Sequence, residues 1–581
     1  MRQSNNYTNT YIDTRGTIAP ASALPFTQTI IKGIASGGGL FVPVVIPHLT
    51  LDEIAALADM PYWQRAATIY KCFGVDLPNS KIDELMQAAY GSQWDDSDIA
   101  PVRKISSNTH VLELWHGPTS AFKDMALQCL PLFFSASIAA LREHESDSSV
   151  DVSGKCESES LAKELHFANC TNNCNDDSVN SDVSKPSHDY LILVATSGDT
   201  GKAALEGFAN RDFTKIIVFY PDGGVSDIQY LQMATQQGNN VGVFGLSGNF
   251  DDCQRTVKQL FTDEDFCYRL ASEHNILLSS ANSINWGRLL PQIVYYVSAY
   301  ADLVAKGDVA VGEQIDICVP TGNFGNILAA WYAKQIGTPI GRLFCASNEN
   351  RVLADFINSG TYDITNRDFV QTPSPSMDIL VSSNLERQLF ELCGRNCDAI
   401  NNWMRELREQ GRFQIDRETF ANLRQDFGAD WVSSEESLLV IKEVYQKYGY
   451  LLDPHSAIGW KVAERLRDAQ TNEEQQIGSH NQVLIVSTAH WAKFGADVYR
   501  ALNDLAPDAS LPKDVACLGG MGINKLILEK LVAQNNTKSA TIPKGLSELD
   551  SLNIRFKDVV NADLDAARQT VLEWLRSKDG Q

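Results

Sequence analysis

The chain has 581 residues and a formal net charge of −23, a length that holds two to four domains with a large buried core. Its 44% hydrophobic and 9% aromatic content is that of a globular protein. The acidic balance argues against nucleic-acid binding, which needs basic patches, and obliges any anionic substrate to find a locally positive pocket.

No run of about 18 apolar residues marks a membrane span. Met1-Arg2-Gln3-Ser4-Asn5-Asn6 lacks an apolar signal core, so a cytoplasmic protein with no membrane partner is expected. Residues 1 to about 104 read as a mostly helical region. Gly37-Gly38-Gly39 precedes the apolar Leu40-Phe41-Val42-Pro43. Thr50-Leu51-Asp52-Glu53 has the form of a capping box that opens a helix, and helical patterns run near 63–73 and 80–90. From about 105 the pattern becomes strand, short polar loop, helix. Val111–Trp115 reads as a strand, Gly117 and Pro118 as a tight turn, and a helix starts near Ala121 behind the cap residues Thr119 and Ser120.

Residues 144–188 are rich in Ser, Asn and Asp and read as a flexible surface insertion. None of the twelve cysteines forms a CxxC pair, and all are expected to be free thiols. His166, Cys170 and Cys174 lie four apart inside the insertion, a spacing that chance explains better than zinc. Strands follow at 190–195, 215–220, 241–246, 276–280, 315–319 and 482–487, and their loops are rich in Gly, Ser, Thr and Asn. Near-continuous apolar strands alternating with helices specify parallel sheets covered on both faces. Ligands of such sheets bind at the carboxyl ends of the strands. Residues 350–450 return to helical patterns, including Glu436–Tyr448. The tail from about 510 carries a short strand pattern and a closing helix at 563–576.

Several of these loops hold side chains suited to chemistry. Lys123 falls in the first helical turn, where the helix dipole disfavours a second positive charge. A lysine kept neutral there attacks carbonyls; a solvated surface lysine is the alternative. Gly322-Asn323-Phe324-Gly325-Asn326 follows a strand and opens a helix, so its N–H groups can bind an anion. It is not a Walker P-loop, and an ordinary glycine turn has the same form. Thr196-Ser197-Gly198-Asp199-Thr200-Gly201 is either a second anion loop or an N-cap in which Ser197 or Asp199 caps the helix that follows. Thr488, in Ser487-Thr488-Ala489-His490, can meet a ring nitrogen without adding charge, and Lys493 follows it. Asn285 and Arg288 begin the helix after the 276–280 strand, and Arg288 can clamp a phosphate. Exposed loop positions are the alternative for both. Together, a lysine at a helix start, a neutral hydroxyl-lined loop and a glycine-asparagine loop are the parts of a pyridoxal phosphate site.

These stretches resemble the threonine synthases, pyridoxal phosphate enzymes of the tryptophan-synthase-β type. The resemblance rests on His116–Asp124 (HGPTSAFKD), Thr196–Gly201 (TSGDTG), Gly322–Asn326 (GNFGN), Asp453–Ala457 (DPHSA), Ser487–Phe494 (STAHWAKF) and Gly38–Pro43 (GGLFVP). It implies that Lys123 carries the imine with pyridoxal 5′-phosphate and shuttles protons. It implies that Gly322, Asn323, Phe324 and Asn326 bind the cofactor phosphate and that Thr488 meets the pyridine nitrogen. Ser197 and Thr200 would grip the substrate carboxylate; Asn285 is counted with the substrate residues, and Arg288 and Lys493 are expected at the leaving phosphate. Many relatives in the wider superfamily carry Asn where this chain has Asp199. Aspartate is usual among the threonine synthases and favours this branch over cysteine synthase.

The implied fold is α/β: two parallel-sheet, three-layer subdomains of the tryptophan synthase β-like type (fold type II) with a helical N-terminal domain over 1–104. The large cofactor-binding domain takes 105–143 and 286–515, with a helical insertion near 350–450, and the small α/β domain takes 189–285. The low-complexity insertion, 144–188, is longer than the family pattern, and 516–581 packs on the body. The implied activity is that of a carbon–oxygen lyase on a phosphate ester. It converts O-phospho-L-homoserine and water to L-threonine and phosphate, the last step of threonine biosynthesis, in a monomer or homodimer with no metal. The rivals are a serine or threonine dehydratase on the same fold, which lacks a γ-phosphate pocket, and a non-catalytic homologue that binds a phosphorylated amino acid.

Overall fold

The computed structural model describes residues 8–147, 188–473, 482–533 and 541–579. Almost all of the 144–188 insertion, with His166, Cys170 and Cys174, lies outside them. The N-terminal region holds helices at Phe26–Lys32, Leu51–Ala56, Tyr62–Cys72 and Asn79–Ala89. The capping box forms as its residues dictate: the Glu53 N–H donates to the Thr50 hydroxyl (3.3 Å) and the Thr50 N–H to the Glu53 carboxylate (2.9 Å). The region also contains an antiparallel sheet of β1 (Thr10–Asp13), β2 (Leu24–Pro25) and β3 (Phe41–Pro43), in the order β2-β1-β3. Strands so short show no alternation in sequence. Tyr11 packs on Trp286 with ring centroids 5.6 Å apart, and Phe26 meets Phe133 edge-on at 6.1 Å. These rings join the region to the main body through one continuous apolar core.

The body opens with β4 (Val102–Lys104) and β5 (Thr109–Glu113), followed by β6 (Asp189–Ala195), β7 (Thr214–Pro221), β8 (Val241–Ser247) and β9 (Ile276–Ser279). Next come β10 (Ile315–Pro320), β11 (Ile340–Ser347), the hairpin β12 (Thr361–Asp363) and β13 (Arg412–Gln414), β14 (Phe427–Trp431), β15 (Gln482–Ser487) and β16 (Val559–Asn561). One sheet has six strands in the order β14-β11-β10-β15-β5-β4, all parallel except the edge strand β4. The other has five parallel strands in the order β16-β8-β7-β6-β9. β10 is buried at every position, and so is β6 except at its two ends, because helices cover both faces.

Three features depart from the sequence expectation. β11 and β14 were not anticipated: Gly341 and Arg342 interrupt the apolar run of one, Gly428 and Asp430 that of the other. The tail divides between the domains. β16 extends the smaller sheet beside β8, and Ala567, Val571 and Leu575 of helix Leu564–Asp579 enter its core, whereas Ile523, Ile527 and Leu531 pack with the larger domain. Finally, Asp124–Glu143 is long and apolar enough to cross a membrane, and 67% of its apolar window is buried inside the protein. Its hydropathy serves the core between the two sheets.

The helix after β6 meets the helix after β5 at Gly207, where a Cβ would stand 1.9 Å from the Leu127 carbonyl oxygen. This is a backbone contact that side-chain rotation cannot relieve. Gly207→Ala is therefore expected to destabilise the protein by about 1–3 kcal/mol, measured as a lowered midpoint in thermal or urea unfolding. An unchanged midpoint would contradict the contact.

Candidate active site

The carboxyl ends of β5 and β15 are joined beyond the sheet. The Leu114 N–H donates to the Ser487 carbonyl (3.0 Å), the Phe122 N–H to the Thr488 carbonyl (2.8 Å) and the His490 N–H to the Ser120 carbonyl (3.1 Å). Thr488 thus lies against the residue that precedes Lys123. The turn between is organised by Asp124, whose carboxylate accepts from the Thr119 N–H (2.8 Å) and the Thr119 hydroxyl (2.7 Å). A Cβ on Gly117 would stand 2.5 Å from that of Asp124, so the turn needs glycine there. The helix begins at Asp124 rather than Ala121, and no side chain caps it. Ser120 instead takes a left-handed conformation, φ 58°.

Lys123 therefore stands just before the helix, and burial, not the helix dipole, sets its chemistry. It is 8% exposed. Its Nζ lies 3.0 Å from Ser376 Oγ and 3.4 Å from Asp199 Oδ2. Burial pulls the amine below the ordinary lysine range. Asp199 opposes that shift, and the nearby cations Lys493 and Arg288 add to it.

Asp199 comes from the loop after β6. The Thr196 hydroxyl accepts from the N–H groups of Gly198 (3.0 Å) and Gly201 (2.9 Å). Helix Asp199–Phe208 thus begins without a cap from Ser197 or Asp199, which corrects the expectation for this loop. Gly198 takes φ +133°, and a Cβ there would stand 2.4 Å from the Gln229 side chain. Asp199 is freed to meet Lys493 Nζ (3.0 Å), Gln229 Nε2 (2.9 Å) and Lys123. Burial alone would raise its carboxyl; the two lysines and the hydrogen bonds from Gln229 and Lys493 outweigh burial and hold it well below the carboxylate range. Ser197 is half-buried on that loop, and Thr200 is half-buried in the first turn of the helix.

The glycine-asparagine loop follows β10. Phe324 is left-handed, φ 63°, and helix Gly325–Gln335 begins behind it. A Cβ on Gly322 would stand 2.5 Å from the Ser376 carbonyl oxygen, so this loop and Lys123 both touch one residue, Ser376, the loop at its carbonyl and Lys123 at its hydroxyl. The Ser383 hydroxyl donates to the Asn323 side chain (3.1 Å), and the Asn384 N–H to the Asn323 carbonyl (3.0 Å). Asn326 Oδ1 accepts from the Tyr295 hydroxyl and from the Tyr296 hydroxyl (2.6 Å). That fixes the amide orientation and leaves Asn326 Nδ2 buried with no partner among the described residues.

The other expected substrate residues divide. Arg288 is buried. It donates to the Ala281 carbonyl (2.7 Å), keeps Nε without a partner among the described residues, and is lowered by burial to about 10. Asn285 spends both ends of its amide on backbone: Oδ1 accepts from the Gly287 N–H (2.9 Å) and Nδ2 donates to the Ile30 carbonyl (2.8 Å). It caps helix Trp286–Ala305 and ties it to the N-terminal region. Lys493 is fully buried on Asp199 and the Thr119 carbonyl.

Sequence reasoning missed Ser376 and Gln229 and gave no role to the pair behind Ser376, although Asp453 and His455 lie in the DPHSA stretch. His455 Nε2 accepts the Ser376 N–H (3.2 Å), so its Nδ1 carries the proton and donates to Asp453 Oδ1 (2.8 Å). The signal for Ser376 in sequence is slight: Pro373 and Pro375 break a region of helical patterns.

Residues 10–90 match the family described as threonine synthase N terminus, 182–488 the pyridoxal-phosphate dependent enzymes and 456–522 the threonine synthase C-terminal family. A threonine synthase of Pseudomonas aeruginosa is 35% identical over 510 residues, covering 87% of this chain and 93% of that protein. The chain belongs to the threonine synthase family. Human threonine synthase-like 1 is 41% identical over 490 residues, 83% of this chain, which spans 58% of that relative's length. A crystal structure of PLP-bound threonine synthase from Brucella melitensis superposes with a TM-score of 0.75 at 32% identity, covering 98% of this chain and 100% of that one. Pyridoxal phosphate is the cofactor of this family, and the residues fit it. Lys123 is a buried amine of lowered basicity, Gly322 keeps its loop free of side-chain bulk, and Asn326 Nδ2 is an unspent donor for an anion.

His116 links the turn to the preceding strand. Its Nδ1 meets Asp95 (2.6 Å) and its Nε2 meets Glu113 (2.9 Å), with the Trp115 ring stacked at 4.0 Å. Burial would lower this imidazole, but the two carboxylates outweigh burial and raise it to about 9. Since the folded value lies above the ordinary 6.5, its contribution to stability is full below about pH 6.5 and is lost as pH rises through about 9. Wild type and His116→Gln are expected to differ most in unfolding midpoint at acidic to neutral pH and to converge above pH 9.

Proposed function

We propose that this chain is a threonine synthase, converting O-phospho-L-homoserine and water to L-threonine and phosphate. The observation that carries the reading is the placement of Lys123. A buried amine of lowered basicity stands one residue, Ser376, from the glycine-asparagine loop. Pyridoxal phosphate, bound there, supplies an electron sink that makes the substrate α-hydrogen acidic. Lys123 Nζ, its basicity lowered by burial, would take up that proton and return it at the neighbouring carbon. The Ser376 hydroxyl, 3.0 Å away, keeps the amine aimed. Asn326 Nδ2 and the N–H groups opening helix Gly325–Gln335 would hold the cofactor phosphate, and Thr488 would offer the pyridine nitrogen an uncharged partner. Ser197 and Thr200 face the substrate carboxylate.

Arg288, buried and with an unspent Nε, is the residue we assign to the substrate's own phosphate. A second anion site is what separates this reaction from dehydration of serine or threonine. We read the protein as a cytoplasmic monomer or homodimer that acts on small molecules without nucleic-acid or membrane partners. The net charge of −23 supports the exclusion of nucleic acid.

Purified protein supplied with pyridoxal 5′-phosphate is expected to release threonine and phosphate from phosphohomoserine and to leave L-serine unchanged. Turnover of serine alone would overturn the assignment. Lys123→Ala is expected to lower turnover by at least about 100-fold. Asn326→Ala removes one donor to an anion, worth about 1.5–3 kcal/mol. Equilibrium dialysis should then show cofactor binding weakened by about 10–100-fold.

A further inference from the structure

The reaction proposed above assigns no task to Lys493, yet that residue is more deeply buried than Lys123. Its Nζ lies 3.0 Å from Asp199 Oδ1 and donates to the Thr119 carbonyl at 2.7 Å. Lys123 Nζ reaches the other oxygen of the same carboxylate at 3.4 Å. Two lysines share one carboxylate in a space nearly closed to water.

The charges facing Lys123 are Asp199 on helix Asp199–Phe208, Lys493 on the turn Trp491–Phe494 and Arg288 on helix Trp286–Ala305. Those facing Lys493 are Asp199, Lys123, Asp124 and His490. Burial, with His116 and Lys493 nearby, drives His490 down to about 3, so it stays neutral. One ammonium balances Asp199. A second, with Arg288 close by, would leave excess positive charge where water cannot screen it. Geometry decides which lysine holds the charge. Lys493 has the shorter contact with the carboxylate and a carbonyl acceptor for another of its protons. Lys123 has the longer contact and a serine hydroxyl, which serves a neutral amine as well as an ammonium.

We propose that Lys493 is a positioning residue, the standing counter-cation of Asp199, which leaves Lys123 beside that carboxylate as a free amine. The inference rests on Lys123 being the reactive lysine. Without Lys493, Asp199 would be balanced by Lys123 itself, and an ammonium has no lone pair with which to attack.

The test follows the rate at which pyridoxal 5′-phosphate becomes covalently attached to the full-length chain, freed of cofactor, as a function of pH. Visible absorbance is the readout, and circular dichroism confirms that each variant is folded. Lys493→Met is expected to move the midpoint of this profile up by about 1–3 units, slowing attachment at neutral pH by at least about tenfold. Lys493→Arg keeps the charge and should stay near wild type. Asp199→Asn combined with Lys493→Met should bring the midpoint back down, because no carboxylate remains to hold the proton. A Lys493→Met midpoint equal to wild type overturns the proposal, as does a double variant that stays elevated. If Lys493→Met alone does not fold, Asp199→Asn is compared with the double variant. A higher midpoint in the double variant supports the proposal, and equal midpoints overturn it. Absence of any attachment in the wild type would instead sink the proposed function.

Discussion

A buried carboxylate needs cations and donors around it, and Asp199 obtains them from parts of the chain far apart in sequence. Lys123, Gln229 and Lys493 all converge on its two oxygens. Left unpaired, a carboxylate that is 4% exposed would cost several kcal/mol. The loop after β6, the turn after β5, the turn after β15 and the helix carrying Gln229 are therefore locked together. The same carboxylate brings Lys123 and Lys493 into one cluster, one on each oxygen.

Around this centre the two parallel sheets meet through their carboxyl ends. The large sheet supplies the lysine turn, the glycine-asparagine loop and the Thr488 loop; the small sheet supplies Asp199. The N-terminal region acts as a third wall. Arg387, fully buried, donates to the Phe41 carbonyl of β3, to Asn384 Oδ1 and to the Ile284 carbonyl. Asn384 in turn holds the Asn323 carbonyl through its backbone N–H. One guanidinium thus couples the N-terminal sheet, the segment leading to Arg288 and the anion loop. Asn285 adds a tie to the Ile30 carbonyl. The N-terminal region is thus part of what fixes the geometry of the Gly322–Asn326 loop and of the segment leading to Arg288.

How much was legible follows from the range of each interaction. The parallel strands from β6 to β10, and β15, were legible because burial on both faces leaves them predominantly apolar, none interrupted by both a glycine and a charge. β11 and β14 were not, because glycine and charged residues interrupt those runs. Their pairing in the sheet, β11 with β10 and β14 with β11, overrides that local break. The capping box at Thr50 was legible because both partners lie within four residues. The caps expected at Thr119, Ser120, Ser197 and Asp199 failed for two reasons. Asp124 and Thr196 outcompete them as local acceptors, and Asp199 is drawn to lysines more than seventy residues away in either direction.

The amino-acid sequence by itself determined the α/β class, the loops in which ligand-binding groups fall, the family, and Lys123 as the amine of interest. Those follow from residue type and short-range order, which motif and periodicity carry directly. Tertiary structure alone decided that burial lowers the basicity of that amine, that two lysines share the Asp199 carboxylate, and that Ser376 touches both Lys123 and the Gly322 loop. The physical reason is that desolvation and Coulomb energy depend on distances across the fold. Those distances are set when separate strands pair, and no local pattern encodes them.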